Sequence, residues 1–167
     1  SGIEPDWVIG TSIGAINAAL IAGNEPALRS KRLGEFWHKV VQRSSGGSFD
    51  WLGLGQAFAN FSTVMNGIPA FFEPNPAALR GPKAEVGIEQ AAYYSTDPLR
   101  QTLAQLRSFD VLNAGRIRVT VGAVNASSGT MRYFDSRDEP LNVDHILASG
   151  ALPPAFPAVR IDGQAYW

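Results

Sequence analysis

A serine hydroxyl is a poor nucleophile until it is presented to its substrate and a base takes its proton. Gly10-Thr11-Ser12-Ile13-Gly14 offers one way of presenting it. In a sharp turn from a strand into a helix the serine projects outward. Glycines two residues before and two after remove side chains that would clash in such a turn. The helix behind it aims its N-terminal dipole and free N–H groups at the site, which favours a developing oxyanion. The Ile13 N–H is the expected donor. The string alone is a weak signal in a chain with 17 glycines. Its context discriminates: Trp7-Val8-Ile9 reads as a short buried strand, and Ala15 to Ala22 as a small-residue helix ending at Gly23-Asn24. The competing reading is an ordinary glycine-rich strand-to-helix turn.

A proton acceptor for Ser12 is harder to find. The chain has two histidines, His38 and His145. A Ser–His–Asp triad would bring His145 to Ser12 with a separate carboxylate, such as Asp135, behind it. The bland reading is stronger for both: His38 is a solvated helix residue and His145 begins a short helix. There is no cysteine, so thiol nucleophiles, thiolate metal sites and disulfides are excluded. Two histidines make a multi-histidine metal cage implausible, and the chemistry above needs no metal or organic cofactor.

The elements that must position these residues follow from hydrophobic spacing. A second helix starts near Asn24, with Pro26 in its first turn and an apolar stripe of Leu33, Phe36, Trp37, Val40 and Val41. A Ser/Gly loop at Ser44 to Ser48 opens a loop-rich excursion over about residues 44–96, with one short helix expected near Gln56 to Met65. The aromatics between Phe49 and Phe72 read first as core, and alternatively as the lining of an acyl pocket or a lipid contact. Asp97-Pro98 signals a helix start, and Leu99, Leu103 and Leu106 give that helix a buried face. Ile117 to Ala123 alternates as a strand, Ser127-Ser128-Gly129 turns, and Met131 to Phe134 returns. Val143 to Ser149 reads as a short helix and Gly150 to Pro157 as a loop. Asp162-Gly163 marks a hairpin between Val159–Ile161 and Ala165–Trp167. This order indicates an α/β fold in one domain of 167 residues.

Composition narrows the partners. Fourteen basic against fifteen acidic residues give a net charge of −1, which argues against a phosphate-tracking nucleic-acid surface. A hydrophobic share of 45% is globular. The longest apolar run, Ile13 to Gly23, contains Asn17 and is too short to span a membrane. The lack of cysteine and of a visible signal segment favours the cytoplasm without requiring it.

Three landmarks together carry a family resemblance. Asp6-Trp7-Val8-Ile9 followed by Gly10 to Ala15 resembles the nucleophile turn of the patatin-like phospholipases. Ala148-Ser149-Gly150-Ala151-Leu152-Pro153-Pro154-Ala155-Phe156-Pro157 resembles that family's Ala-Ser-x-Ala-x-Pro-x-x-Phe loop. Ile161 to Trp167 resembles the hairpin that precedes its Asp-Gly-Gly or Asp-Gly-Ala motif. Tyr93-Tyr94 and Val121 to Asn125 between them resemble a bacterial branch.

The resemblance implies a three-layer α/β/α sandwich and a lipid acyl hydrolase with a Ser–Asp dyad, without histidine. Its substrate would be an acyl lipid, met in transient contact with a membrane surface. Ser12, Gly10, Gly14 and the Ile13 amide carry over. The dyad aspartate would directly follow Trp167, and the oxyanion loop and first strand would precede Ser1. The sandwich is therefore expected to be incomplete at both ends, and the 167-residue chain by itself nearly inactive. Asp162, in a hairpin turn, does not take the aspartate's role. The alternatives are the His145 triad and a non-catalytic lipid- or protein-binding module.

Overall fold

The computed structural model describes residues 4–44, 73–75, 92, 94–106, 108–153 and 155–167. Strand β1 (Trp7–Gly10) leads through a two-residue turn into helix α1 (Ile13–Ala22), closed by Gly23, and then into α2 (Pro26–Ser44). Two short strands, β2 (Glu73–Pro74) and β3 (Tyr94–Ser95), pair antiparallel. Helix α3 (Asp97–Leu106) begins one residue earlier than Pro98, with the Ser95 hydroxyl accepting the Asp97 N–H. Helix α4 (Phe109–Asn113), strands β4 (Arg118–Val124) and β5 (Met131–Asp135), helix α5 (Val143–Gly150) and the hairpin β6 (Val159–Ile161)–β7 (Gln164–Tyr166) complete the order. The expected helix at Gln56 to Met65 and the aromatics from Phe49 to Phe72 lie outside the described residues. So does nearly all of the excursion.

The main sheet has the order β1-β4-β5, with β1 parallel to β4 and β5 antiparallel to it. The register pairs Val8 with Val119 and Val121 with Phe134. These side chains therefore share one face, and they enter one core cluster with α1 and α5. Helix α1 is almost entirely buried because Ala15, Ala18, Ala19 and Ala22 let its backbone approach the sheet closely. From α2, Phe36 is fully buried, and Leu33 and Trp37 pack against the cluster. Trp37 also donates its indole N–H to Asn17 of α1 at 3.1 Å. Leu99 and Leu103 supply the buried face expected of α3.

The opposite face corrects the reading of β1 as a fully buried strand. Trp7 is 48% exposed and Ile9 60%. Successive strand side chains point to opposite faces, so all of a four-residue strand is buried only if both faces are covered, and with one face covered Trp7 and Ile9 stay exposed. Register puts Met131 and Tyr133 on the same outer face, and both are exposed. Among the described residues, α1 and α5 cover one face of the sheet. Two layers of the expected sandwich, helix and sheet, are thus formed. No helix among the described residues is long and apolar enough to cross a membrane.

Beneath the exposed ring of Trp7 lies a polar network. Its indole N–H donates to Thr120 Oγ1 at 2.8 Å, and the Thr120 hydroxyl donates to Asp135 at 2.6 Å. Arg118 Nε donates to both Asp135 oxygens at 3.1 and 2.9 Å, with its guanidinium 4.2 Å from the Trp7 ring centre.

Candidate active site

The turn between β1 and α1 is strained at one residue. Ser12 has φ 55° and ψ −122°, in a region that non-glycine residues rarely occupy. Such a conformation costs about 1–3 kcal/mol and persists only where its surroundings hold it. The turn is closed by Gly14 N–H to Thr11 O at 2.9 Å and by Ala15 N–H to Ser12 O at 3.0 Å. Gly10 is sterically obligatory. A Cβ there would sit 2.3 Å from both the carbonyl carbon and the oxygen of Gly14. Gly14 is different. A Cβ on it would meet nothing within 4 Å among the described residues, so the expectation that both glycines avoid clashes holds only for Gly10. Gly14 contributes the backbone against which Gly10 packs, and its own missing side chain would have pointed into open space. A further glycine, Gly122 on β4, leaves room for the turn from the other side. A Cβ there would lie 3.0 Å from Thr11 Oγ1.

Ser12 is half-buried, and among the described residues its Oγ makes no hydrogen bond. The Ile13 N–H, the expected oxyanion donor, is likewise unengaged among the described residues, whereas the following amides are taken up by the turn. The Ser12 N–H is held. It donates to Ser149 Oγ at 2.9 Å, across 137 residues of sequence. Ser149 is buried in the last turn of α5. The residues alone carried one signal for it: a serine closing the apolar run Ile146-Leu147-Ala148, at a register where the helix faces the core.

Several contacts fix α5. Asn142 caps it, accepting the Asp144 N–H at 2.8 Å. Asn113 both donates to the Leu141 carbonyl and accepts the Leu141 N–H, each at 2.9 Å. Arg100 of α3 pairs with Asp144 at 2.6 Å. The loop after α5 is held by Tyr94 N–H donating to Ala155 O at 3.1 Å. Ala151, Ala155 and Phe156 form a second apolar cluster with Tyr94 and Trp167. The three sequence landmarks thus converge: the turn meets Ser149, and the loop beyond Ser149 meets Trp167. Trp167 itself exchanges backbone hydrogen bonds with Val124, at 2.6 and 2.9 Å. The turn of its hairpin uses two left-handed residues, Asp162 at φ 50° and Gly163 at φ 77°.

The histidines take no part in this arrangement. His38 is exposed on α2. His145 is buried at the opposite end of α5 from Ser149, one turn or about 6 Å along the axis. Its Nδ1 lies 3.0 Å from both the Asn142 N and the Asn142 Oδ1, so this ring nitrogen is engaged by the cap of α5. A triad base needs a carboxylate at Nδ1 and the serine hydroxyl at Nε2. Nε2 lies 3.9 Å from Glu139 and has no hydrogen-bond partner among the described residues. Burial holds the His145 pKa below the usual histidine value, and the neighbouring Glu139 carboxylate opposes this only in part. Asp135 is committed elsewhere. Burial would raise its pKa, but hydrogen bonds from Thr120, the Arg137 N–H and Arg118 outweigh it and hold the carboxyl below its ordinary value. No hydrogen bond joins Ser12, His145 and Asp135 among the described residues, and the triad expectation fails on this geometry. Nor do three of His, Cys, Asp and Glu cluster at metal-binding distance among them.

The chain is thus an α/β domain with a strained serine at a strand-to-helix turn. The family model for Patatin-like phospholipase matches residues 1–167, and the chain belongs to that family. Membership implies lipid hydrolysis in general and lipids as substrates. Comparison with curated proteins finds no match.

Proposed function

We propose that this protein is a serine acyl hydrolase in which Ser12 attacks the ester carbonyl of a phospholipid or related acyl lipid. The observation that carries the reading is the Ser12 backbone, at φ 55° in the β1–α1 turn. Strained residues of this kind cluster at active sites, where the surrounding structure holds them. Attack by Ser12 Oγ forms a bond to the carbonyl carbon, and the Ile13 N–H donates to the oxyanion that develops. The hydroxyl proton passes to an aspartate following Trp167. It then goes to the leaving alkoxide as the ester C–O bond breaks. Water, deprotonated by the same aspartate, hydrolyses the acyl-serine and releases the fatty acid.

The direction of β7 supports this place for the base. Trp167 bonds to Val124 while running antiparallel to β4, and Val121 of β4 pairs with Gly10. Chain continuing past Trp167 in that direction heads toward the Ser12 turn. Substrate contact at a membrane surface is part of the same proposal.

The test is made on the full-length protein. A fluorophosphonate probe labels Ser12, and Ser12→Ala lowers hydrolysis of a p-nitrophenyl ester by about 10³-fold or more. Retained labelling and turnover in Ser12→Ala would identify a different nucleophile. A folded wild type with neither labelling nor turnover would favour a binding module.

A further inference from the structure

We infer that Ser149 is a positioning residue for the nucleophile, its hydroxyl oxygen tethering the Ser12 N–H so that the turn stays in its strained, outward-presenting form. The inference rests on the reading of Ser12 as nucleophile. Its geometry is independent of that reading: a 2.9 Å hydrogen bond from the one strained residue of the turn to a buried hydroxyl on another element.

The backbone of Ser12 has two peptide planes to control. The turn's own hydrogen bonds use the Thr11 and Ser12 carbonyls, as acceptors for Gly14, Ala15 and Ile16. They leave the Ser12 N–H to be fixed from outside. With that N–H held by Ser149, the unusual φ and ψ of Ser12 determine where Oγ and the Ile13 N–H point. Without it, the turn is free to relax about Ser12 toward less strained angles, carrying both groups away from the reacting carbonyl. Ser149 is well suited to the task. It is buried, it sits on a helix held by Asn142, Asn113 and Arg100, and α5 packs directly on α1. A misplacement of about 1 Å in such a constellation costs about 10²-fold in rate.

Ser149→Ala removes the acceptor and Ser149→Thr keeps it. In the full-length protein, Ser149→Ala should lower kcat for a p-nitrophenyl ester by about 10- to 100-fold, with KM within about threefold, because the substrate's binding surface is untouched. Ser149→Thr should restore most of kcat. Amide hydrogen exchange gives a readout that does not depend on turnover. The Ser12 N–H should exchange at least about tenfold faster in Ser149→Ala, while Ile146 and Leu147 keep their protection. Wild-type kcat in Ser149→Ala, or an unaltered Ser12 exchange rate, overturns the assignment. An inactive Ser12→Ala beside a fully active Ser149→Ala would overturn the tether alone. Full activity in Ser12→Ala would overturn the nucleophile reading, and the Ser149 assignment with it.

Discussion

Exchanging each motif glycine for alanine separates steric necessity from sequence pattern. A methyl at residue 10 would sit 2.3 Å from two backbone atoms of Gly14 and 2.6 Å from the Ala15 nitrogen. Ordinary carbon contacts begin near 3.5 Å, so the overlap is about 1.2 Å. All three atoms are backbone, so no rotamer change relieves it. Overpacking typically costs about 1–3 kcal/mol, and a rigid clash of this size belongs at the upper end or beyond. For a chain of this length about 3 kcal/mol lowers Tm by about 6–12 °C. Because the turn itself must move, fluorophosphonate labelling of Ser12 should slow by about 10²-fold. Gly14→Ala reverses the sign. Residue 14 is helical, its φ is not positive, and a methyl there meets nothing among the described residues. Alanine then stabilises by about 0.4–1 kcal/mol through the unfolded chain, raising Tm by about 1–4 °C. The assays are thermal unfolding and labelling rate on both variants. Equal destabilisation by the two substitutions, or a Gly10→Ala protein with unchanged Tm, would refute this account of the turn.

Three further variants have expected outcomes. His145→Gln should keep kcat/KM within about tenfold, because no proton passes through the ring; a loss of about 10³-fold would restore the histidine to the mechanism. The same variant should flatten the acid side of the stability curve. With the native pKa of His145 below 6.5, the unfolded chain binds its proton first as pH falls. Wild-type stability is therefore full above that value and declines below it, whereas His145→Gln lacks this slope, as urea titrations at pH 7 and pH 5 would show. Asp135→Asn should cost about 2–4 kcal/mol at pH 7 by uncompensating Arg118 and Thr120. Because the Asp135 pKa is lowered in the folded state, its contribution is present above pH 3.8 and lost as pH falls through the native value. Asn113→Ala leaves the Leu141 N–H and carbonyl without partners and should cost about 1–3 kcal/mol in thermal unfolding.

Local pattern read the order of elements well. The β1–α1 turn, the β4–β5 pair, α5 and the Asp162–Gly163 hairpin all stand where strand alternation, helical spacing and turn chemistry put them. These features depend on neighbours in sequence. What local pattern could not supply was cross-chain geometry. Trp7 and Ile9 look buried because they are apolar, yet their exposure depends on what covers the outer face of the sheet. Gly10 and Gly14 look alike in a string, and only the path of the turn distinguishes them. Asp135 reads in sequence as a candidate triad carboxylate, but Arg118 and Thr120 occupy both its oxygens in the fold. Ser149 stands in sequence as one residue of the Ala148 to Pro157 motif, and its bond to Ser12 joins residues too far apart for any spacing rule.

That separation also sets a timetable for the nascent chain. The Ser12 turn emerges first, and the hydroxyl that holds its N–H follows 137 residues later. At about 5–20 residues per second, the ribosome delivers Ser149 about 7–27 s after Ser12. The parallel partner of β1 is also remote in sequence, so no hairpin can shape the turn in the interval. The strained backbone of Ser12 therefore gains its external hydrogen bond only once α5 has docked on α1.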